Sequence, residues 1–419
     1  MWRRALNNGL PLVTRSRSVL SQQGRGLATL QEHLLMRSMN SVIDDLALDE
    51  PTTWMPQPDF TDCESLRQRA SATSVDASLL QSVADVDPFA LVKNDVNALS
   101  SNIKELLGSD HPVLETVAQY FFNQEAGKKV RPTLVLLMSK ALQAHMDIEQ
   151  GQARPTEEVA AMYAQQVRLA AITEQIHTAS LLHDDVIDVA DTRRGVKSVN
   201  SMFGNKLAIL AGDFLLARAS ICLARLRNVE VVEIISTSIE HLVKGEVMQM
   251  KPDLRGNAAF EMYLRKNYYK TGSLMANSIL ASTVLMGAPK DLQLIAFQYG
   301  ESCGHAFQLI DDALDFEGSL ATLGKPALAD LKQGLATAPV LIAQESHPEL
   351  RPLIERKFSY PEDIDIAASA VHSSQSIVQT RALATAYVEK AISCALQLHP
   401  SPARDSLIRM ALKIVNRSS

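Results

Sequence analysis

The sequence predicts an all-α protein, folded as a single large helical bundle. Composition points there first. Of 419 residues, 46% are hydrophobic but only 5% aromatic, and the apolar set is mostly Leu, Ala, Met and Ile rather than strand-forming types. Periodicity agrees: apolar positions step by three or four through long segments, with Gly and Pro at the joints. Neither βαβ alternation nor a repeat of solenoid length is visible.

Residues 1–29 differ from the rest. They carry Arg3, Arg4, Arg15, Arg17 and Arg25, several Ser and no acidic residue. An Arg- and Ser-rich, acid-free N-terminus reads as a mitochondrial transit peptide. Five of the 41 basic residues and none of the 47 acidic ones lie there, so the remainder carries 36 against 47, a formal net charge of −11. That acidic body argues against nucleic acid as a partner. Residues 30–85, with Pro51, Pro56 and Pro58 and weak periodicity, read as a poorly ordered N-terminal extension. The catalytic domain is expected over 86–419.

Its first helix is expected to start at Asp87, a capping residue followed by Pro88, and to end near Gly108. Phe89, Val92, Val96, Leu99, Ile103 and Leu106 fall on one face of it. Further helices are expected at 131–145, 157–189, 204–226, 229–250, 258–287, 291–316, 376–398 and 402–416. The stretch 274–286 is very apolar, but Asn277, Ser278, Ser282 and Thr283 interrupt it, so it reads as a core helix and not a membrane span. Cys63, Cys222, Cys303 and Cys394 lie far apart with no CxxC pair, and read as buried thiols rather than ligands or a disulfide framework.

The chemistry is written in two acidic motifs about 130 residues apart. Leu181-Leu-His-Asp-Asp-Val-Ile-Asp188 and Gln308-Leu-Ile-Asp-Asp-Ala-Leu-Asp315 share an apolar lead, an Asp pair and a third Asp three residues on. On a helix, Asp184 and Asp188 project from one face with roughly 6 Å of rise between them, and so do Asp311 and Asp315. Asp185 and Asp312 lie about 100° around. One such motif is as easily solvated surface charge. Two in apolar surroundings are not, because buried carboxylates need compensating cations. The spacing excludes an EF-hand, and oxygen ligands of this kind suit Mg²⁺ together with substrate phosphates.

Basic residues flank both motifs. Gly127-Lys-Lys-Val-Arg-Pro132 puts Lys128, Lys129 and Arg131 at a helix N-terminus, which favours phosphate. Arg193 and Arg194 follow the first motif, Lys325 follows the second, and Lys266, Lys270 and Thr271 lie on a later helix. His177 precedes Asp184 by two turns.

In this order, these motifs resemble the trans-isoprenyl diphosphate synthases, in particular the long-chain branch that makes ubiquinone side chains. The likeness is carried by Gly-Lys-Lys-Val-Arg-Pro, Glu174 through Asp188, Arg193-Arg-Gly, Ala211-Gly-Asp-Phe214, Tyr269-Lys-Thr271, Gly304 through Asp315 and Gly324-Lys-Pro326. The resemblance implies an isoprenoid-synthase bundle with a central cavity. Asp184, Asp185, Asp188, Asp311, Asp312 and Asp315 would bind Mg²⁺ and, with Lys270, form the catalytic set. It further implies that Lys128, Arg131, His177 and Arg194 hold isopentenyl diphosphate, and that Arg193, Lys270, Thr271, Gln308 and Lys325 contact the allylic diphosphate. One departure is visible: Leu335 follows Asp330-Leu-Lys-Gln-Gly334, where shorter-chain members often carry Lys.

Ile176, Ala179 and Ser180, one to two turns before the first motif, would border the growing chain. Ala and Ser there leave room for a product longer than about four isoprene units. Partners implied by the resemblance are a second copy or a related subunit, and a membrane surface met peripherally during product release. The implied location is the mitochondrial matrix or the matrix face of the inner membrane. Two readings compete. A non-catalytic subunit of the same fold would lose an acidic motif, and a terpene cyclase would replace the second with an Asn/Ser/Glu triad; neither substitution is present.

Overall fold

The computed structural model describes residues 54–60, 65–67, 77–99, 116–117, 120, 129–151, 154–193, 195–250, 258–317 and 328–417. The expected transit peptide and the start of the extension lie outside these residues, as does Gly108. From Met55 onward the chain forms one compact unit.

Fifteen helices are described in order: α1 (Ala77–Ser82), α2 (Val130–Glu149), α3 (Thr156–Ile187), α4 (Val199–Phe203), α5 (Asn205–Ala224), α6 (Val229–Met250), α7 (Ala258–Asn267), α8 (Ser273–Leu285), α9 (Lys290–Glu317), α10 (Ala329–Lys332), α11 (Ala338–Ala343), α12 (Leu350–Glu355), α13 (Pro361–Ser373), α14 (Ser376–Ala395) and α15 (Pro402–Val415). A two-stranded hairpin, β1 (Thr192–Arg193) and β2 (Val196–Lys197), supplies the strands among the described residues. Asp87 Oδ1 accepts the Phe89 N–H at 3.1 Å, but the N-cap of the 3₁₀ turn at Ala90–Val92 is Phe89, which makes no side-chain cap bond; the chain is then helical over 93–99.

The bundle is organised around α8. Every residue from Ser273 to Val284 is buried, and α9, α6, α2 and α3 pack around it. A helix that is apolar all round belongs in a core. Its polar side chains are paired: Ser282 Oγ donates to Gln166 Oε1 at 2.7 Å, Thr173 Oγ1 to Ser278 Oγ at 3.0 Å, and Asn277 Nδ2 to Ser238 Oγ at 3.0 Å. These bonds offset the desolvation of groups that would otherwise cost stability. The core helix expected at 274–286 is therefore present.

The helix expected over 258–287 differs in one respect. It is interrupted by a π segment, Tyr268–Gly272, in which the Ser273 N–H reaches back to the Tyr268 carbonyl. Glycines on the flanking helices let it sit close. A Cβ on Gly245 of α6 would lie 2.8 Å from the Lys270 nitrogen, and one on Gly304 of α9 only 2.6 Å from the Gly272 Cα. Side-chain periodicity carries no mark of such an insertion.

By length and composition α5 is apolar enough to cross a membrane, with 39% of its window buried. Lys206, Asp213 and Arg218 interrupt its apolar run. One face packs on α3, and Ile209, Leu210 and Ile221 are exposed. Short helices α10 to α13 enclose a smaller apolar cluster that includes Phe316, Leu331, Leu350 and Phe358. Most are too short to show a period in the sequence.

Part of the segment read as an extension joins the bundle. Phe60, Leu66 and Val83 are buried, Phe60 sets its edge against Tyr268, and the Asp59 N–H donates to Glu301 Oε1 at 3.3 Å. Cys222, Cys303 and Cys394 are free and buried, as expected; Cys63 lies outside the described residues.

Candidate active site

The first acidic motif closes α3. Asp188 caps the helix, its N–H bonding the Asp184 carbonyl at 2.8 Å, and Val189 turns the chain with φ 51°. The β1–β2 hairpin, with Gly195 in the left-handed region at φ 80°, then returns Arg193 to the motif. Its guanidinium grips Asp185, with Nη2 2.7 Å from Oδ1 and Nε 2.9 Å from Oδ2. Asp185 is buried and Arg193 half-buried. Such a forked pair fixes geometry as well as charge. Arg193, expected on the allylic diphosphate, is engaged by an aspartate here.

Asp184 and Asp188 face a different group. Lys270, on the π segment, lies 2.5 Å from Glu246 Oε1 and 3.3 Å from Gln249 Oε1 on α6. Burial lifts the Asp184 carboxyl to about 7, with Lys270 opposing and Glu246 and Asp188 adding to the rise. Asp188 is raised too, by burial first and then by Glu246 and Asp185, with Lys270 opposing. Burial alone would lower Lys270, but Asp184 and Glu246 outweigh it and hold the amine cationic. Three carboxylates thus crowd one ammonium.

The second motif lies on α9. Asp311 pairs with Arg417 at 2.8 Å, and that guanidinium also covers the Phe307 ring at 4.2 Å. Asp312 is buried and accepts hydrogen bonds from the Tyr263 hydroxyl, from Gln308 Nε2 at 2.8 Å and from the Ala338 N–H at 3.3 Å. Burial raises its carboxyl despite these donors. Asp315 accepts the N–H groups of Ala329 and Asp330, at 3.1 and 3.2 Å.

Adjacent residues of the π segment join the two clusters. Lys270 acts on Asp184 and Asp188, while Thr271 Oγ1 donates to Gln308 Oε1 at 3.2 Å, and Gln308 holds Asp312. Lys266, one turn earlier, is pushed down by burial and held up by Asp312 and Asp330.

At the start of α2, Arg131 Nη1 donates to His177 Nε2 at 3.1 Å, joining two residues expected to hold one diphosphate. Lys128, Arg194 and Lys325 lie outside the described residues. Ile176 and Ala179 are buried and Ser180 is half-buried. On the α3 wheel Ser180 falls about 40° from Asp184, and Ala179 about 140° away.

Residues 111–371 match the family model described as polyprenyl synthetase. The chain belongs to the polyprenyl synthetase family. This enzyme is 42% identical over 330 residues to the mitochondrial solanesyl-diphosphate synthase 1 of Oryza sativa, covering 78% of this chain and 77% of the relative. It is 43% identical over 351 residues to decaprenyl-diphosphate synthase subunit 1 of Schizosaccharomyces pombe, covering 78% and 90%. Among solved structures it is similar to a polyprenyl synthase of Caulobacter crescentus complexed with calcium and isoprenyl diphosphate. That match has a TM-score of 0.69 at 28% identity and covers 79% of this chain and 97% of that one. The enzyme is a transferase of prenyl groups, and its bundle is of the isoprenoid-synthase type.

Glu246, Gln249, Tyr263 and Arg417 also touch the site, and motif reading missed them. Glu246 and Gln249 share a face of α6, but nothing nearby in the sequence pairs them with Lys270, 21 residues after Gln249. Tyr263 and Arg417 reach the motif only through the packing of α7 and the end of α15.

Proposed function

We propose that this enzyme adds isopentenyl diphosphate units to an allylic diphosphate and makes a long-chain all-trans polyprenyl diphosphate for the ubiquinone side chain. The observation that carries the reading is the π segment, which joins both acidic clusters through Lys270 and Thr271. A polyanionic leaving group needs its charge met from two sides, and this arrangement offers both.

The donor set fits Mg²⁺. Asp184 and Asp188 share Lys270 with Glu246, and burial, followed by Glu246 and Asp188, lifts the Asp184 carboxyl. A hard divalent ion relieves such crowding. Asp184, Asp188 and Asp311 are the carboxylates best placed to hold it, with Asp185, Asp312 and Asp315 fixing the frame. When bound, Mg²⁺ supplies Lewis-acid stabilisation of the diphosphate oxygens.

The chain's own residues do the rest. Lys270 turns from Glu246 to the allylic diphosphate and steadies the charge that grows as its C–O bond breaks. Arg131 and His177 hold isopentenyl diphosphate, a role that Lys128 and Arg194 share by motif; Arg193 and, by motif, Lys325 act with Lys270, Thr271 and Gln308 on the allylic diphosphate. The isopentenyl C=C attacks the allylic cation, a C–C bond forms, and the proton lost in restoring the double bond passes to the departed diphosphate. Ile176, Ala179 and Ser180 border the lengthening chain.

An acid-free basic N-terminus, together with the mitochondrial rice relative, supports a mitochondrial location, in the matrix or on the matrix face of the inner membrane. The exposed apolar face of α5 supports pairing with a second copy of this chain. The fission-yeast relative, named as a subunit, makes a related partner the alternative outcome of a light-scattering test. Peripheral contact with a membrane would serve release of so apolar a product.

Incubation of the purified chain with Mg²⁺, farnesyl diphosphate and labelled isopentenyl diphosphate tests the function. A product ladder running beyond four isoprene units is expected. No incorporation, or arrest at four units, overturns the reading.

A further inference from the structure

Away from the carboxylates, the last turn of α2 meets the loop between α14 and α15. His145 and Glu149, four residues apart, project from one face of α2, and His399 comes in from that loop. One donor atom from each residue lies within 4.8 Å of the other two. The two imidazole rings stack with centroids 4.6 Å apart, and His399 Nε2 lies 2.5 Å from Glu149 Oε1. The loop itself is fixed. Leu398 is buried in the core, Ser401 caps α15 by accepting the Arg404 N–H at 3.2 Å, and the His399 N–H donates to His145 Nδ1 at 3.1 Å.

We propose that His145, Glu149 and His399 form a second metal site, for a borderline transition-metal ion of the Zn²⁺ class, separate from the carboxylate centre. Two imidazoles and one carboxylate, with water in a fourth position, are a common zinc set. The same set is a poor one for Mg²⁺, which takes oxygen ligands. Tetrahedral ligands at about 2.0–2.1 Å from zinc lie roughly 3.3 Å apart, so the three donors need only small side-chain movements. An ion here replaces the proton that His399 Nε2 shares with Glu149. It also takes the Nδ1 lone pair of His145, which now accepts a backbone N–H at a half-exposed loop, where water can satisfy that amide.

Asp291, at the start of α9, adds negative potential to the same spot. Because two of the ligands sit on a helix and the third on a short anchored loop, little chain ordering opposes binding.

Zn²⁺ is titrated calorimetrically into the full chain held in excess Mg²⁺, in parallel with His399→Ala and His145→Ala. The wild type is expected to take up one equivalent more than either variant, and Co²⁺ is expected to give a visible tetrahedral absorption band that both variants lack. Glu149→Gln, the mildest change, keeps the fold if an alanine variant does not; it is expected to weaken Zn²⁺ binding at least tenfold. Equal stoichiometry and equal affinity across these proteins would place all zinc at the catalytic carboxylates and overturn the proposal.

Discussion

The Lys270 ammonium lies 2.5 Å from Glu246, and both face Asp184 and Asp188. One cation is thus shared by three carboxylates. Lys270→Ala should lower kcat by about 10²-fold, the scale of losing one donor to a departing oxyanion. Glu246→Gln leaves the lysine in place and should change kcat by less than about tenfold while shifting KM for the allylic substrate. Steady-state incorporation of labelled isopentenyl diphosphate separates the two; equal losses in both variants would contradict the parking role of Glu246.

Asp185 and Arg193 make a structural prediction within the same motif. Arg193→Ala strands a buried carboxylate and should destabilise the fold by about 3 kcal/mol. Asp188→Asn changes the carboxylate at the C-terminal cap of α3 without stranding a buried partner, and should leave the melting temperature nearly unchanged while abolishing turnover. Thermal melts of the two variants distinguish a framework pair from a ligand.

Glu301 predicts a pH dependence of stability. Burial lifts its carboxyl to about 7, with Lys390 opposing. The folded chain therefore keeps this proton over a range in which the unfolded chain has lost it. Stability from this group is complete below about 4.5, falls as pH rises, and bottoms out above about 7. Across that window the cost is about 3 kcal/mol. Glu301→Gln should flatten the difference in melting temperature between pH 5 and 8, and parallel curves for variant and wild type would refute it.

Gly304→Ala tests the close crossing of α9 on the π segment. The new methyl would meet the Gly272 Cα at 2.6 Å, a backbone atom that cannot swing aside, so relief requires helix movement. A destabilisation of about 1–3 kcal/mol is expected. Activity should fall further than that loss explains, because Lys270 and Thr271 move with the segment. A stable variant with full activity would refute it.

Product length gives a fifth test. Ser180→Phe and Ala179→Phe both add bulk before the first motif, but Ser180 shares the carboxylate face. Both should shorten the product ladder on chromatography, Ser180→Phe more severely. An unchanged ladder in both would remove these positions from the chain's path.

Much of this was legible in the sequence because the long helices carry their own signal. The apolar period located α3, α5, α6 and α9 nearly to their ends, and the two acidic motifs announced their own faces. What stayed hidden depends on distant residues meeting. Nothing near Arg193 in the sequence says that it will also grip Asp185, since the return of the chain through the β1–β2 hairpin decides that. Glu246 and Arg417 reach the site only after whole helices have packed. The π segment is silent as well, because Tyr268 to Gly272 reads as ordinary helix until the backbone bonds are counted.

That segment has one further consequence. It acts as a phase shifter in what would otherwise be one straight apolar rod: excising a single residue between Tyr268 and Gly272 would restore unbroken α winding and swing α7 by about 100° about its axis. Tyr263 and Lys266 would then rotate off Asp312 while α8 kept its buried place. One surplus amino acid lets the same rod serve oil at one end and water-seeking charge at the other.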